Sequence, residues 1–227
     1  MIGLFVAATG TGCGKTWIAR GLTRAATRAG RRVAPLKPVE TGVTLTATDA
    51  LALGRAAGRE ELANAPGLHR FRAPLSPRAA ELAGAPGLDP TRLVLAVQEL
   101  FVPSEIVVIE GAGGLLTPIA RGVTVADLAA ALGFPLILVA PDALGTLSHT
   151  TAAVECARAR GLRVAAVALV AQASADGSER HNAAILREEL GLFTVHMRRC
   201  RDDDDDLAAA VVDAGLYTLL DAPRRGL

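Results

Sequence analysis

A chain of 227 residues with 24 Lys and Arg against 23 Asp and Glu carries a net charge of +1, which excludes a global electrostatic pull toward nucleic acid or an anionic membrane. Apolar residues make up 51% of it and aromatic ones 3%, so the expected core is aliphatic, of the kind that parallel strands rich in Val, Ile and Leu provide. Three unpatterned cysteines, Cys13, Cys156 and Cys200, form neither a disulfide framework nor a metal-ligand pair and suit a reducing cytoplasm.

Residues 2–7 form an apolar run without the basic lead and cleavage site of a signal segment, and read as a strand. The run flows into Ala8-Thr9-Gly10-Thr11-Gly12-Cys13-Gly14-Lys15-Thr16 and then into apolar positions Trp17, Ile18, Leu22, Ala25 and Ala26 at helical spacing, stopped by Gly30. A strand, a glycine-rich turn and a helix aim backbone N–H groups and the positive end of the helix dipole at one spot, which binds phosphate. The strict pattern G-x-x-x-x-G-K-[ST] is missed by one residue, since Thr9 stands where the first glycine belongs. In this reading Lys15 meets the β- and γ-phosphates and the Thr16 hydroxyl holds magnesium. Cys13 serves as a small residue of the turn, although a helix N-terminus lowers a thiol pKa.

Residues 33–37 read as a second strand ended by Pro38, so Lys37 projects from the same edge of the sheet as the phosphate loop. There it can neutralise charge on a transferring phosphoryl group, or be a solvated surface lysine; position alone does not choose. A hydroxyl-rich loop, residues 38–48, leads to Asp49, which reads as a helix N-cap or first-turn residue and equally as a metal ligand. Residues 66–77 form a proline-punctuated connection, with Ser76-Pro77 starting a helix over 78–83, and residues 90–101 form another helix. The β-branched run 106–109 is a buried strand ending in Glu110-Gly111-Ala112-Gly113-Gly114, an acid followed by glycines at the strand end where α/β sheets place ligand chemistry.

Helices over 124–132, 146–160 and 178–190 alternate with strands over 136–140 and 164–170, a last strand surrounds Val195, and a last helix spans 207–216. Such alternation predicts one mostly parallel sheet with helices on both faces, and no repeat or linker divides the chain. Gly145-Thr146-Leu147-Ser148-His149 opens a helix and could hold a carboxylate, but by spacing alone is an ordinary strand-to-helix turn. The acids at 202–206 read as a solvated face before a helix. The four histidines show no metal spacing.

Taken together, the T-x-T-x-x-G-K-T stretch from Thr9 to Thr16, Lys37-Pro38-Val39-Glu40-Thr41-Gly42, Asp49-Ala50-Leu51, Ser76-Pro77, Glu110-Gly111-Ala112-Gly113-Gly114 and Leu144-Gly145-Thr146-Leu147-Ser148-His149 resemble dethiobiotin synthetase. The resemblance implies a single P-loop NTPase-like α/β domain over 1–227 that closes 7,8-diaminononanoate and CO2 into dethiobiotin with ATP and magnesium, in biotin synthesis in the cytoplasm. It implies Lys37 as catalytic lysine beside Lys15 and Thr11, with Thr11 and Thr41 on the diamine or its carbamate, and Thr16, Asp49 and Glu110 holding magnesium. ATP would meet Gly12, Cys13, Gly14, Lys15, Thr16, Trp17, Asp49, Glu110, Gly111, Ala112, Gly113 and Gln172. Members are homodimers whose substrate carboxylate is bound by the neighbouring subunit at the helix start matching Gly145, Leu147 and Ser148. Neither nucleic acid nor membrane is an expected partner.

The chain departs from the family pattern at Gly12, where some members carry an acid, and at Gln172, where an asparagine often meets adenine. It also departs after Val195, where Met197-Arg198-Arg199-Cys200 replaces a G-x-x-P loop. One rival reading is a partner-regulated ATPase of the kind that positions cell components. Those proteins carry a signature lysine where this chain has Gly10, and membrane-bound members end in a basic amphipathic helix that residues 221–227 are too short and proline-broken to form. A nearer rival is a sister ligase acting on another amine or carboxylate.

Overall fold

A computed structural model describes residues 1–44 and 48–221. The expected loop at 38–48 therefore lies partly, and the expected tail almost wholly, outside the described residues.

The frame is a six-stranded sheet built from β1 (Ile2–Ala8), β2 (Val33–Leu36), β5 (Ile106–Glu110), β8 (Leu136–Asp142), β9 (Val164–Ala171) and β10 (Thr194–Met197). Their order across the sheet is β10-β9-β8-β1-β5-β2, and every neighbouring pair runs parallel. Nearly continuous Val, Ile, Leu and Ala runs fit this position, because both faces are covered and neither can be polar. Alternate side chains enter two separate apolar clusters. On one face lie Phe5, Val107, Ile109, Leu136, Leu138 and Val167, under α4 (Pro90–Glu99), α5 (Val125–Leu132), α6 (Thr146–Ala159) and α7 (Glu179–Leu190). On the other lie Leu4, Val6, Ile106, Val108, Ile137 and Val139, under α1 (Lys15–Arg28) and α8 (Asp204–Asp213).

The helices start and stop where capping chemistry dictates. Asp89 accepts from the N–H groups of Thr91 and Arg92 ahead of Pro90, and Thr124 forms a capping box with Asp127 at α5, which ends on left-handed Gly133. Ser76 accepts from Ala79 N and Pro77 fills the first position of α3 (Pro77–Leu82). A final short helix, α9 (Thr218–Asp221), follows α8.

Several short elements, α9 among them, were not expected from the sequence. β3 (Val39–Thr41) and β4 (His69–Phe71) form a small parallel sheet beside α2 (Thr48–Ala57), within stretches expected as loop and connection. Glu60–Asn64 is a 3-10 turn, and β6 (Pro118–Ala120) with β7 (Val123–Thr124) makes an antiparallel hairpin. Each is short and polar or proline-bearing, so its pairing is set by neighbours rather than by local pattern.

Candidate functional site

The carboxyl ends of β1 and β5, adjacent and parallel, open onto a cavity of about 950 Å3. α1 leaves β1 through the glycine-rich turn with Gly14 as N-cap and no side-chain cap, so the amide groups of its first turn face the cavity without competition. Gly14 holds φ at 96°, which favours glycine, and a Cβ there would also crowd the Val170 side chain at 3.1 Å. Lys15 is only 6% exposed and donates from Nζ to Gly10 O at 3.1 Å, folding back over the turn it serves. Burial pushes its ammonium below the usual lysine range, and the nearby Lys37 charge adds to that.

Glu110 ends β5 at 1% exposure and is the hub of the site. Its Oε1 accepts from Thr16 Oγ1 at 2.8 Å and from Lys37 Nζ at 2.5 Å. Lys37, just past β2, reaches on to Asp49 Oδ2 at 3.0 Å in the first turn of α2. Burial alone would lower the Lys37 pKa, but the combined charge of Glu110 and Asp49 outweighs it and raises the pKa, so Lys37 stays an ammonium. Asp49 is thus a first-turn residue held in an ion pair. The cap of α2 is Glu40, whose two carboxylate oxygens accept from Asp49 N and Ala50 N.

The other expected residues sort cleanly. Thr11, Gly12, Gly14, Lys15, Thr16 and Trp17 line the cavity from the phosphate loop and α1. Lys37, Thr41 and Asp49 line it from the β2 edge, and Ala112, Gly113 and Gln172 from the loops after β5 and β9. Gln172 Nε2 donates back to Val170 O at 2.7 Å. Cys13 lies under the turn at 5% exposure, and Gly111 lies behind the wall, where a Cβ would meet Val125 at 2.9 Å and Phe5 at 3.0 Å. Gly145, Leu147 and Ser148, at the start of α6, are not part of the cavity wall.

Sequence reasoning passed over four charged cavity residues. Glu40 could have been found as the one acid inside the Lys37-to-Gly42 block, and Arg20 as the residue one helical turn after Thr16. Arg199 and Asp202 come from the segment between β10 and α8 and carry no local signal. The acids at 202–206 keep the exposure expected of a solvated face, Asp202, Asp203 and Asp205 being exposed, and the run also forms a clasp on nearby arginines. Asp202 and Asp204 bind Arg20 at 2.5 and 2.8 Å, Asp205 binds Arg24 at 2.7 Å, Asp206 binds Arg198 at 2.7 Å, and Asp203 caps α8.

The site contains a donor set suited to magnesium: the Thr16 hydroxyl, the Asp49 carboxylate, and Glu110, whose Oε2 is buried without a hydrogen-bond partner among the described residues. Magnesium takes oxygen ligands, keeps several waters and needs only one or two carboxylates, so these residues fit it.

A parallel sheet whose first strand turns through a phosphate-binding loop into a helix, with an acid at the end of the adjacent strand, defines a P-loop nucleotide-binding protein. Solved structures share that fold. The cell division ATPase MinD of Pyrococcus furiosus aligns over 98% of this chain and 100% of its own, with a TM-score of 0.59 at 16% identity. The chloroplast FtsY of Physcomitrella patens aligns over 94% and 64%, with a TM-score of 0.51 at 19% identity. A family model described as an AAA domain matches residues 2–195. The chain is 44% identical over 170 residues to the ATP-dependent dethiobiotin synthetase BioD of Anaeromyxobacter dehalogenans, covering 74% of this chain and 76% of that one. Against the enzyme of the same name from Caulobacter vibrioides it is 39% identical over 198 residues, covering 85% and 87%. The chain belongs to the dethiobiotin synthetase family. Among the described residues no helix is long and apolar enough to cross a membrane.

Proposed function

We propose that this chain is an ATP-dependent cyclo-ligase, one domain over residues 1–227, that joins 7,8-diaminononanoate and CO2 into the cyclic urea dethiobiotin and releases ADP and phosphate. The observation that carries the reading is the meeting of Lys37, Glu110 and Thr16 around a single carboxylate oxygen beside the uncapped start of α1. It joins a phosphate cradle to a second cation, which is what a reaction between an anionic carbamate and a triphosphate requires.

In this reading one amine takes up CO2 to form a carbamate, whose oxygen attacks the γ-phosphorus as ADP leaves. The second amine then attacks the carbonyl of the carbamic-phosphoric anhydride and expels phosphate. Lys15 and the amides of the phosphate loop bind the triphosphate. Lys37, kept cationic by its acidic neighbours, draws carbamate and γ-phosphate together and screens their repulsion; it acts through charge and not as a base. Thr11 and Thr41, both on the cavity wall, orient the diamine end. Thr16, Asp49 and Glu110 would hold magnesium, which when bound neutralises phosphate charge.

Gly145, Leu147 and Ser148 lie off this cavity, which agrees with their serving the substrate carboxylate of a neighbouring subunit in a cytoplasmic homodimer. The test is phosphate release from magnesium-ATP. Release that depends on 7,8-diaminononanoate is expected, whereas hydrolysis indifferent to the diamine and stimulated by a protein partner or by membranes would contradict the proposal.

A further inference from the structure

Glu40 is a further carboxylate of the cavity, beside Asp49 and Glu110, and has no part in the reaction just described. It is 3% exposed, in the middle of β3, where a charge is costly unless it is fully bonded. Its bonds all go to one place. Oε1 accepts from Asp49 N at 2.8 Å and from Thr48 Oγ1 at 3.2 Å, and Oε2 accepts from Ala50 N at 3.2 Å. A carboxylate from a different element thus satisfies the orphan donors of the first turn of α2, where helix polarity favours a negative charge.

The residue so gripped is Asp49, whose side chain pairs with Lys37. The Lys37 end is held too: Arg70 of β4, paired in register with Glu40, donates from Nη1 to Lys37 O at 3.0 Å. The β3–β4 sheet therefore fixes both members of the Lys37–Asp49 pair through their backbones, and Glu40 sets the position of the carboxylate.

We infer that Glu40 is a positioning residue that holds the start of α2, and hence Asp49, in the place required to bind the divalent cation. The inference rests on the reading of Asp49 as a metal-binding residue. It is tested with Mn2+ as the probe, titrated by electron paramagnetic resonance into the full chain in the presence of ADP. The proteins are the wild type, Glu40→Ala, Glu40→Gln and Asp49→Asn, with ADP affinity measured separately in EDTA.

In Glu40→Ala, Mn2+ affinity is expected to fall about tenfold, the scale on which partners that orient a metal ligand act, with metal-free ADP affinity unchanged. Glu40→Gln matches the shape of glutamate and keeps one acceptor, so it carries the test should the alanine variant not fold, and its Mn2+ affinity is expected to lie between those of the wild type and Glu40→Ala. Weakened Mn2+ binding in Asp49→Asn with wild-type binding in both Glu40 variants would overturn the role of Glu40 alone. Wild-type Mn2+ binding in Asp49→Asn would overturn the reading of Asp49 beneath it. Equal losses of Mn2+ and metal-free ADP affinity in both Glu40 variants would reduce Glu40 to a structural residue and overturn the inference.

Discussion

Lys37 is the residue on which the charge balance of the site turns. It is an ammonium at 6% exposure, kept charged by two carboxylates and joined through one of them to the hydroxyl of Thr16. Replacing it with alanine removes the cation aimed at the reacting oxygens while leaving Lys15 and the loop amides in place. Turnover in Lys37→Ala is expected to fall by about 10²-fold to 10³-fold or more, the range for removing one preorganised charge partner. Nucleotide binding, followed through the fluorescence of Trp17 on the cavity wall, should be largely kept. Normal turnover would remove Lys37 from the mechanism. Gly14 makes a second demand at this scale. A side chain there would meet left-handed strain at φ 96° and contact with Val170, so Gly14→Ala should lose about 1–2 kcal/mol from the backbone alone in urea denaturation.

Between elements, the contact of α1 with α8 shows best how acid and base runs far apart in sequence find each other. Arg20, Arg24 and Arg28 recur every four residues on α1, forming one stripe, and the acids before and within α8 meet it at Asp202, Asp204 and Asp205. The clasp continues through Arg198, which holds the Asp206 carboxyl down to about 2 against an ordinary 3.8. Because the folded pKa lies below the unfolded one, the stabilisation is complete above pH 3.8 and is lost as pH falls through about 2. Side-chain carboxyl resonances should place the Asp206 midpoint near 2 in the wild type and closer to 3.8 in Arg198→Gln; a wild-type midpoint at 3.8 would show that the pair does not form in solution.

Most strands of the main sheet were legible in the sequence because they are apolar runs bounded by breakers, and Glu110 was legible because it stands at such a boundary; position left Lys37 open between a surface and a site lysine, and only the resemblance chose. The β3–β4 sheet was not legible. Three-residue strands have no period to read, Pro38 precedes the first and prolines flank the second, and the two pair across a long sequence separation that no local pattern signals. Glu40 stood out as the one acid of its block, but its role was not legible, since its partners belong to another element, α2.

The whole molecule, as proposed, is one catalytic unit whose phosphate end is self-contained and whose substrate end is completed by a second subunit. Inactive subunits should then complement each other. Ser148→Asp, which sets a negative charge at the start of α6, and Lys37→Ala should each be inactive alone. Mixed after subunit exchange, they should recover about one quarter of wild-type activity, since half of the dimers pair unlike subunits and each of those has one intact site. No recovery in a verified mixed dimer would place the carboxylate site elsewhere. Ring closure is tested directly by incorporation of labelled bicarbonate, with 7,8-diaminononanoate, magnesium and ATP present and each omitted in turn. An acid-stable labelled product is expected only when all are present, because a cyclic urea survives acid and a free carbamate loses CO2. Absence of acid-stable label in a protein that still binds nucleotide would contradict ring closure and move the chemistry to another amine or carboxylate.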